Sequence, residues 1–220
     1  MTDIVNISWI AGKLALVLGL SYLMGSIPTA FLFGKILKGI DIRQHGSGNV
    51  GATNAFRVLG KGTGTVVLLL DIIKGIVPVV VFAGILTPDP LGCIVAGMGA
   101  VCGHNWTCFL NFKGGKGIAT SLGVLIGLTV AIPAARPAVL LCVLSWLTCF
   151  VITAYVSVSS IVAGIFLPIL MIVFGAPFLV ILLSLLFCVF IVLKHRPNIH
   201  RLLIGQEPKV PMPWASKKPS

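Results

Sequence analysis

The chain is poor in acid. Its 220 residues include only five Asp and Glu against sixteen Lys and Arg. The five stand apart, at Asp3, Asp41, Asp71, Asp89 and Glu207, too scattered for a carboxylate metal site of the usual kind. No metal and no cofactor are therefore expected. Charged residues of both signs make up 10% of the chain, where a soluble domain carries about a quarter, which excludes a soluble globular domain. No C-x-x-C pair occurs among the six cysteines (Cys93, Cys102, Cys108, Cys142, Cys149, Cys188), all in or beside apolar runs. Small buried apolar side chains fit that placement better than redox or zinc chemistry. Cys102, His104 and Cys108 are close in sequence, but a fourth metal ligand is not in sight. No cleavable leader is evident: the first apolar run, about Trp9 to Phe33, is too long for a signal h-region and lacks a small-x-small cleavage site. It is read as an uncleaved first span.

What fills the chain is apolar: 57% of it is hydrophobic, with a mean hydropathy of +1.10. Runs at about 9–34, 63–86, 91–110, 118–134, 137–155, 158–174 and 177–193 each approach the length needed to cross a bilayer. Pro133, Arg136 and Pro137 divide one long apolar stretch, and Gly175, Ala176 and Pro177 divide another. The expected fold is an all-α polytopic integral membrane protein of seven transmembrane helices. Its bulk, 1–207, forms one membrane-embedded domain, and 208–220, with four prolines, forms a loosely ordered tail. Thirteen of the sixteen Lys and Arg fall in three segments, 35–61, 111–117 and 194–220. An even number of spans separates these segments, so all three lie on the same side. That side is the cytoplasm by the positive-inside rule, with the N-terminus outside and the C-terminus inside. The net charge of +11 therefore reports membrane orientation, not nucleic-acid binding. The segment from Val50 to Leu59 mixes small, apolar and basic residues and is expected to form a re-entrant or interfacial half-helix. The pairs Ser21/Gly25, Gly99/Gly103 and Gly123/Gly127 suit close helix packing.

Three polar blocks stand out on the basic side. The first runs from His45 to Arg57 and sets Ser47, Asn49, Thr53 and Asn54 among glycines, ahead of Arg57. These residues can hydrogen-bond hydroxyls and phosphate oxygens, and an arginine grips phosphate bidentately. A glycine-rich loop with a helix cap and a snorkelling Arg57 explains the same residues. The second block, Gly103 to Ala119, carries His104 and then Gly114-Gly115-Lys116-Gly117 directly before an apolar run opening Ile118-Ala119-Thr120. Backbone amides and a lysine at a helix start suit an anion, although the spacing is not a Walker A. An ordinary turn with a basic anchor is the plainer explanation, and an isolated His104 is more often an interhelical hydrogen bonder. The third block, His195 to Glu207, follows the last run. A juxtamembrane anchor accounts for its basic residues but not for Asn198 or Glu207. Asp71 and Lys74 share a helical face inside the second run, first as a structural ion pair and second as support for a phosphate pocket.

Together these blocks resemble the PlsY family, the acyl-phosphate-dependent glycerol-3-phosphate acyltransferases of bacterial membranes. The family's motifs correspond here to Gly46-Ser47-Gly48-Asn49-Val50-Gly51-Ala52-Thr53-Asn54, Gly114-Gly115-Lys116-Gly117-Ile118-Ala119-Thr120 and His195-Arg196-Pro197-Asn198-Ile199-His200-Arg201-Leu202, with Asp71-Ile72-Ile73-Lys74-Gly75 and Gly103-His104-Asn105 besides. The resemblance covers about residues 10–207. It implies a seven-helix fold in the bacterial inner membrane. It implies transfer of an acyl group from acyl-phosphate to the 1-hydroxyl of sn-glycerol 3-phosphate, giving lysophosphatidic acid and phosphate without CoA or a carrier protein. It also implies the lipid bilayer as surroundings and functional coupling to the enzyme that makes acyl-phosphate. The residues expected to act are His195, Asn198 and Ser47 in catalysis. Asn49, Thr53, Asn54, Arg57, His104, Gly114, Gly115, Lys116, Gly117, Thr120 and Arg201 are expected to bind substrate. No His-x4-Asp of the thioester-using acyltransferases occurs: Val50, Phe109, His200 and Gly205 stand five residues after the four histidines. A small transporter of phosphorylated metabolites would also use short spans and intramembrane charges, but its polar residues would line a path across the bilayer rather than gather on one face.

Overall fold

The computed structural model describes residues 2–211, with side chains from Ile7, and among the described residues every regular element is helical. The first span opens with α1 (Thr2–Ser26) and continues, after a break at Ile27–Pro28, in α2 (Thr29–Lys38). Pro28 supplies the reason, since it has no N–H to continue the ladder. Backbone freed at membrane depth must find other partners. Thr107 Oγ1 donates to Ser26 O at 2.6 Å and Lys74 Nζ donates to Ile27 O at 2.8 Å. A short helix α3 (Ala52–Val58) stands where the half-helix was expected and packs against α4 (Lys61–Val77). At Pro78 the second span widens into one π-helical stretch, Pro78–Ala83, before α5 (Gly84–Leu86); a proline within a helix is a common cause of such a local change.

The remaining elements are α6 (Pro90–Asn105), α7 (Ile118–Ala131), α8 (Arg136–Thr153), α9 (Val156–Val173), α10 (Phe178–Lys194) and α11 (Arg196–Leu203). Among the described residues five segments are long and apolar enough to cross a membrane, and the bent pair α10–α11, at 54°, brings the number to six. This differs from the expected seven at 118–134. There α7 has only 14 residues, about 21 Å of helix against an apolar core of about 30 Å. Gly117, with φ of +76°, precedes its first turn, and Ile132-Pro133 ends it.

Glycines set the helix crossings. A side chain at Gly25 would strike the backbone of Ala100, and one at Gly103 would strike Tyr22 O, so α1 and α6 lie backbone to backbone. Gly123 meets Ile72 O and Gly75 meets Thr120 O, so α4 and α7 do the same, and Gly127 further along α7 meets the Val79 side chain in the π-helical stretch. The small-residue pairs expected from sequence all lie at these crossings. Between them Val17, Val101, Val124, Leu128, Met171 and Phe187 form the apolar centre. Beyond α11 the chain returns along the α8–α9 turn: Val210 N–H donates to Ala154 O at 2.9 Å and the Lys209 ammonium lies 5.1 Å from the Tyr155 ring centre. The tail expected to be loose from 208 is thus held through Val210, and 212–220 lie outside the described residues.

Candidate functional site

The third polar block folds as a turn and a helix. His195 follows α10, and α11 carries Asn198 and Arg201 one turn apart on the same side. Both residues reach Glu207 on the returning segment. Asn198 Nδ2 donates to Glu207 Oε1 at 2.6 Å and Arg201 Nε donates to Oε2 at 2.8 Å. With its NH2 bound to a carboxylate, Asn198 must turn its carbonyl oxygen the other way, where Lys116 Nζ donates to it. A chain Arg201–Glu207–Asn198–Lys116 therefore ties the third block to the second. Burial disfavours the charge on Glu207, but the hydrogen bonds it accepts outweigh that and keep its pKa below the ordinary glutamate value.

His195 is buried, and its Nδ1 lies 2.8 Å from Ile191 O. A carbonyl can only accept, so Nδ1 carries the proton and the neutral ring offers Nε2 as an acceptor. Burial, then the charge of Lys116, lowers the pKa of His195 to about 4, and the ring is neutral at pH 7. Burial likewise lowers Lys116 to about 8; Glu207 opposes the shift, and the charges of Arg201 and Arg57 add to it. Arg201 directly and Lys116 through Asn198 are thus tied to one carboxylate, and the charge of the exposed Arg57 reaches Lys116. Such excess positive charge, partly out of water, has an evident ligand in an anion.

The glycine-rich loop before α7 rests on the end of α6. Gly114 N–H donates to Asn105 O at 3.3 Å and Gly115 N–H donates to His104 O at 3.0 Å. Two of the amides expected to meet a ligand are therefore committed to structure, and the first-turn amides of α7 are the ones left free by helix geometry. A Cβ at Gly115 would overlap His104 Nε2, and one at Gly117 would approach the Asn105 amide. Only glycine lets the loop lie this close. His104 is itself internal. Its Nδ1 lies 3.8 Å from Asp71 Oδ1, which accepts from Thr29 Oγ1 at 2.6 Å and pairs with Lys74 Nζ at 2.9 Å. A cavity of about 10 Å³, enough for one water, lies between Ser26, Ile27, Lys74, His104 and Thr107. His104 thus supports the loop from below, and Asp71–Lys74 is the structural ion pair expected first.

The first block is organised by Asn54. Its Oδ1 accepts from Ser47 N–H at 2.9 Å, and its Nδ2 donates to His45 O at 3.0 Å and Ile42 O at 3.3 Å. All the hydrogen-bonding capacity seen for this buried amide goes into shaping the loop, so Asn54 positions its neighbours. Gly46 and Gly48 take positive φ, +62° and +71°. Ser47 and Arg57 are exposed, Thr53 is half-buried, and Asn49 is half-buried with Oδ1 enclosed. Asp41, paired with Arg43 at 2.7 Å, has a pKa lowered to about 2, mainly by that hydrogen-bonded pair. Among the described residues no hydrogen bond joins Ser47, Asn49 or Thr53 to the Lys116 network, although the charge of Arg57 reaches it. Thr120 is buried in α7 with its hydroxyl unpartnered.

Three residues outside the expected site belong to this arrangement. Glu207 is the hub, and its signal was visible as the lone acid in a basic block. Lys194 donates to Asn105 O and lies 4.6 Å from the centre of the Trp106 ring, which sequence alone reads as a snorkelling anchor. Asn105 is fully buried with both side-chain polar atoms unpartnered beneath Gly117. Nothing but its neighbour His104 marked it.

The model of the glycerol-3-phosphate acyltransferase family matches residues 15–205. A glycerol-3-phosphate acyltransferase of Synechococcus sp. (strain JA-3-3Ab) is 42% identical over 94% of this chain and 98% of its own. One from Desulforudis audaxviator (strain MP104C) is 45% identical over 87% and 93%. The crystal structure of PlsY (YgiH), an integral membrane glycerol 3-phosphate acyltransferase, in its glycerol 3-phosphate form superposes with a TM-score of 0.82 at 37% identity, covering 90% of this chain and 96% of that one. Its lysophosphatidic acid form gives 0.79 over 89% and 94%. The chain belongs to the glycerol-3-phosphate acyltransferase family and is a multi-pass membrane protein.

Proposed function

From that membership, we propose that this protein transfers an acyl group from acyl-phosphate to the 1-hydroxyl of glycerol 3-phosphate, releasing lysophosphatidic acid and phosphate. It would do so at the cytoplasmic face of a bacterial inner membrane, with seven helices threading the bilayer. The observation that carries the reading is the pair Lys116 and Arg201 beside a neutral His195, held in register by Asn198 and Glu207, with the charge of Arg57 reaching Lys116. Both substrates are phosphates, and the cluster holds cations for them.

Attack of the hydroxyl on the acyl carbonyl forms the ester bond and breaks the bond to phosphate. An acyl-phosphate is a mixed anhydride with a good leaving group, so no covalent enzyme intermediate is needed. Positioning and charge stabilisation supply the acceleration. His195 Nε2 accepts the hydrogen bond of the attacking hydroxyl and orients it. With a pKa of about 4 the ring is a poor match for proton abstraction near pH 7. The departing phosphate takes the proton instead. Ser47 and Asn49 contribute hydrogen bonds to substrate oxygens from the facing loop, and Arg57 and Lys116 hold phosphates.

The test is phosphate release and lysophosphatidate formation by purified protein given palmitoyl phosphate and glycerol 3-phosphate, with no CoA or carrier protein. Product formed in the presence of chelator supports the reading. Absence of product from folded protein, with acyl-CoA also failing, overturns it.

A further inference from the structure

The loop between α6 and α7 carries a feature that the reaction does not use. Cys108–Leu110 forms one 3-10 turn, after which Asn111 and Phe112 both take left-handed backbone, with φ of +52° and +58°. Asn tolerates that region, but a bulky residue such as phenylalanine is a true outlier there. The loop is firmly held. Phe112 N–H donates to Thr107 O at 2.9 Å, Lys113 N–H donates to Leu110 O at 3.1 Å, and Thr107 itself is tied to Ser26. Leu110 points inward and joins the cluster with Ala30, Ile42 and Val67. Phe109 and Phe112 point outward, 58% and 62% exposed. Glycine would satisfy this backbone without strain; that a bulky ring stands here instead, turned outward, marks the position for a contact beyond the protein.

The surroundings say what it meets. The loop lies at the end of one membrane span and the start of an apolar helix, where lipid headgroups begin. Aromatic rings are enriched at that depth, and the exposed Lys113 beside them suits lipid phosphates. Gly114 follows directly. We propose that Phe109 and Phe112 are a two-ring wedge seated in the headgroup–acyl boundary of the bilayer, which fixes the depth of the Gly114–Gly117 loop relative to the lipid. Resting on the function proposed above, the wedge aligns that loop with a donor whose acyl chain is dissolved in the membrane, and has no role toward the water-soluble acceptor.

Two measurements on the full-length protein in phosphatidylcholine–phosphatidylglycerol vesicles test this. In F112W the added indole emission, relative to wild type, should be blue-shifted and quenched by lipids brominated near the top of the acyl chain. Emission like that of water-exposed indole, with no added quenching, overturns the wedge whether or not the protein is an acyltransferase. In F112G the thermal midpoint should rise, because glycine accepts the backbone. The KM for palmitoyl phosphate should nevertheless increase about tenfold while that for glycerol 3-phosphate stays within about twofold, and F112W should restore the donor KM. An unchanged donor KM overturns the proposal. So does a lower midpoint with both KM values raised, which would mean Phe112 is merely structural. A wild-type protein that makes no product counts against the proposed function and leaves the bromine result to decide the wedge.

Discussion

Two polar clusters in this molecule use the same chemistry to opposite ends. In one, Asp71, Lys74, Thr29 and His104 sit between α2, α4 and α6; in the other, Lys116, Asn198, Arg201, Glu207 and His195 sit where α7, α10 and α11 meet. Each contains a carboxylate, a lysine and a histidine. The deep cluster is enclosed: Asp71 is 0% and Lys74 3% exposed, and Lys74 divides its donors between Asp71 and Ile27 O at the Pro28 break, while Asp71 Oδ2 and His104 Nδ1 find no hydrogen-bond partner among the described residues. Its charges cancel. The shallow cluster leaves Arg57, Lys116 and Arg201 against one Glu207, with His195 Nε2 free of any protein partner among the described residues. A buried charge matched by one opposite charge supports the fold, and a cluster with charge in excess is set for a ligand.

The contrast breaks most sharply at the deep pair. Asp71→Ala should remove about 3–5 kcal/mol of stability by leaving Lys74 buried and unpaired, read as loss of folded protein in detergent and a lower thermal midpoint. The double variant D71L/K74M should recover much of that loss. If it does not, the pair is more than a compensated charge.

At the shallow cluster the effect should fall on rate. His195→Ala should lower kcat by about 10²- to 10³-fold in protein that still folds, with a fall in thermal midpoint smaller than that of Asp71→Ala, since the buried ring makes one hydrogen bond to protein and carries no partnered charge. A near-normal rate from folded protein removes His195 from the mechanism.

Lys116 sharpens the comparison through pH. Its pKa is about 8 because it is partly buried among cations. It is charged below that value and neutral above it, so phosphate binding should be intact at pH 7 and weaken as pH rises. KM for glycerol 3-phosphate should climb by up to about tenfold per pH unit above the pKa. Lys116→Arg should move that limb to higher pH, because guanidinium stays charged. A KM flat to pH 10 in the wild type would show that Lys116 does not hold the phosphate as a cation.

The smallest effect is expected at Glu207→Gln. An amide in place of the carboxylate keeps one accepting oxygen, so one of the two hydrogen bonds is lost and the other loses its charge, and about 1–2 kcal/mol should appear as a raised KM, with Asn198 free to flip away from Lys116. Restoration of the wild-type rate at saturating glycerol 3-phosphate would be consistent with this positioning role. A fall in kcat equal to that of His195→Ala would contradict it.

Much of this was legible in the chain. Apolar runs, their punctuation and the distribution of Lys and Arg express local hydrophobicity, which needs no neighbours to be read. The helical membrane class and the three blocks at the ends of runs follow from it. The shortness of α7 was less visible, because Ile118 to Ala134 carries no charge and reads as one apolar run, and only the left-handed Gly117 and the turn at Ile132-Pro133 fix its ends. The break at Pro28 was missed for a related reason: a proline inside a span is tolerated or disruptive according to what satisfies the freed carbonyls, and Lys74 and Thr107 come from elsewhere.

The residue types able to hold phosphate, and their positions in order, were determined by the sequence alone, since hydrogen-bonding and charge are properties of single side chains. Which of them act on a ligand and which act on the protein was decided only by tertiary structure. Asn54 exhausts its amide on three backbone partners, Gly114 and Gly115 give their N–H groups to α6, and His104 lies beneath the loop. Lys116 meets Asn198 across 82 positions of chain. A polar group's role depends on which partner it finds first, and partners that distant in sequence are set by packing.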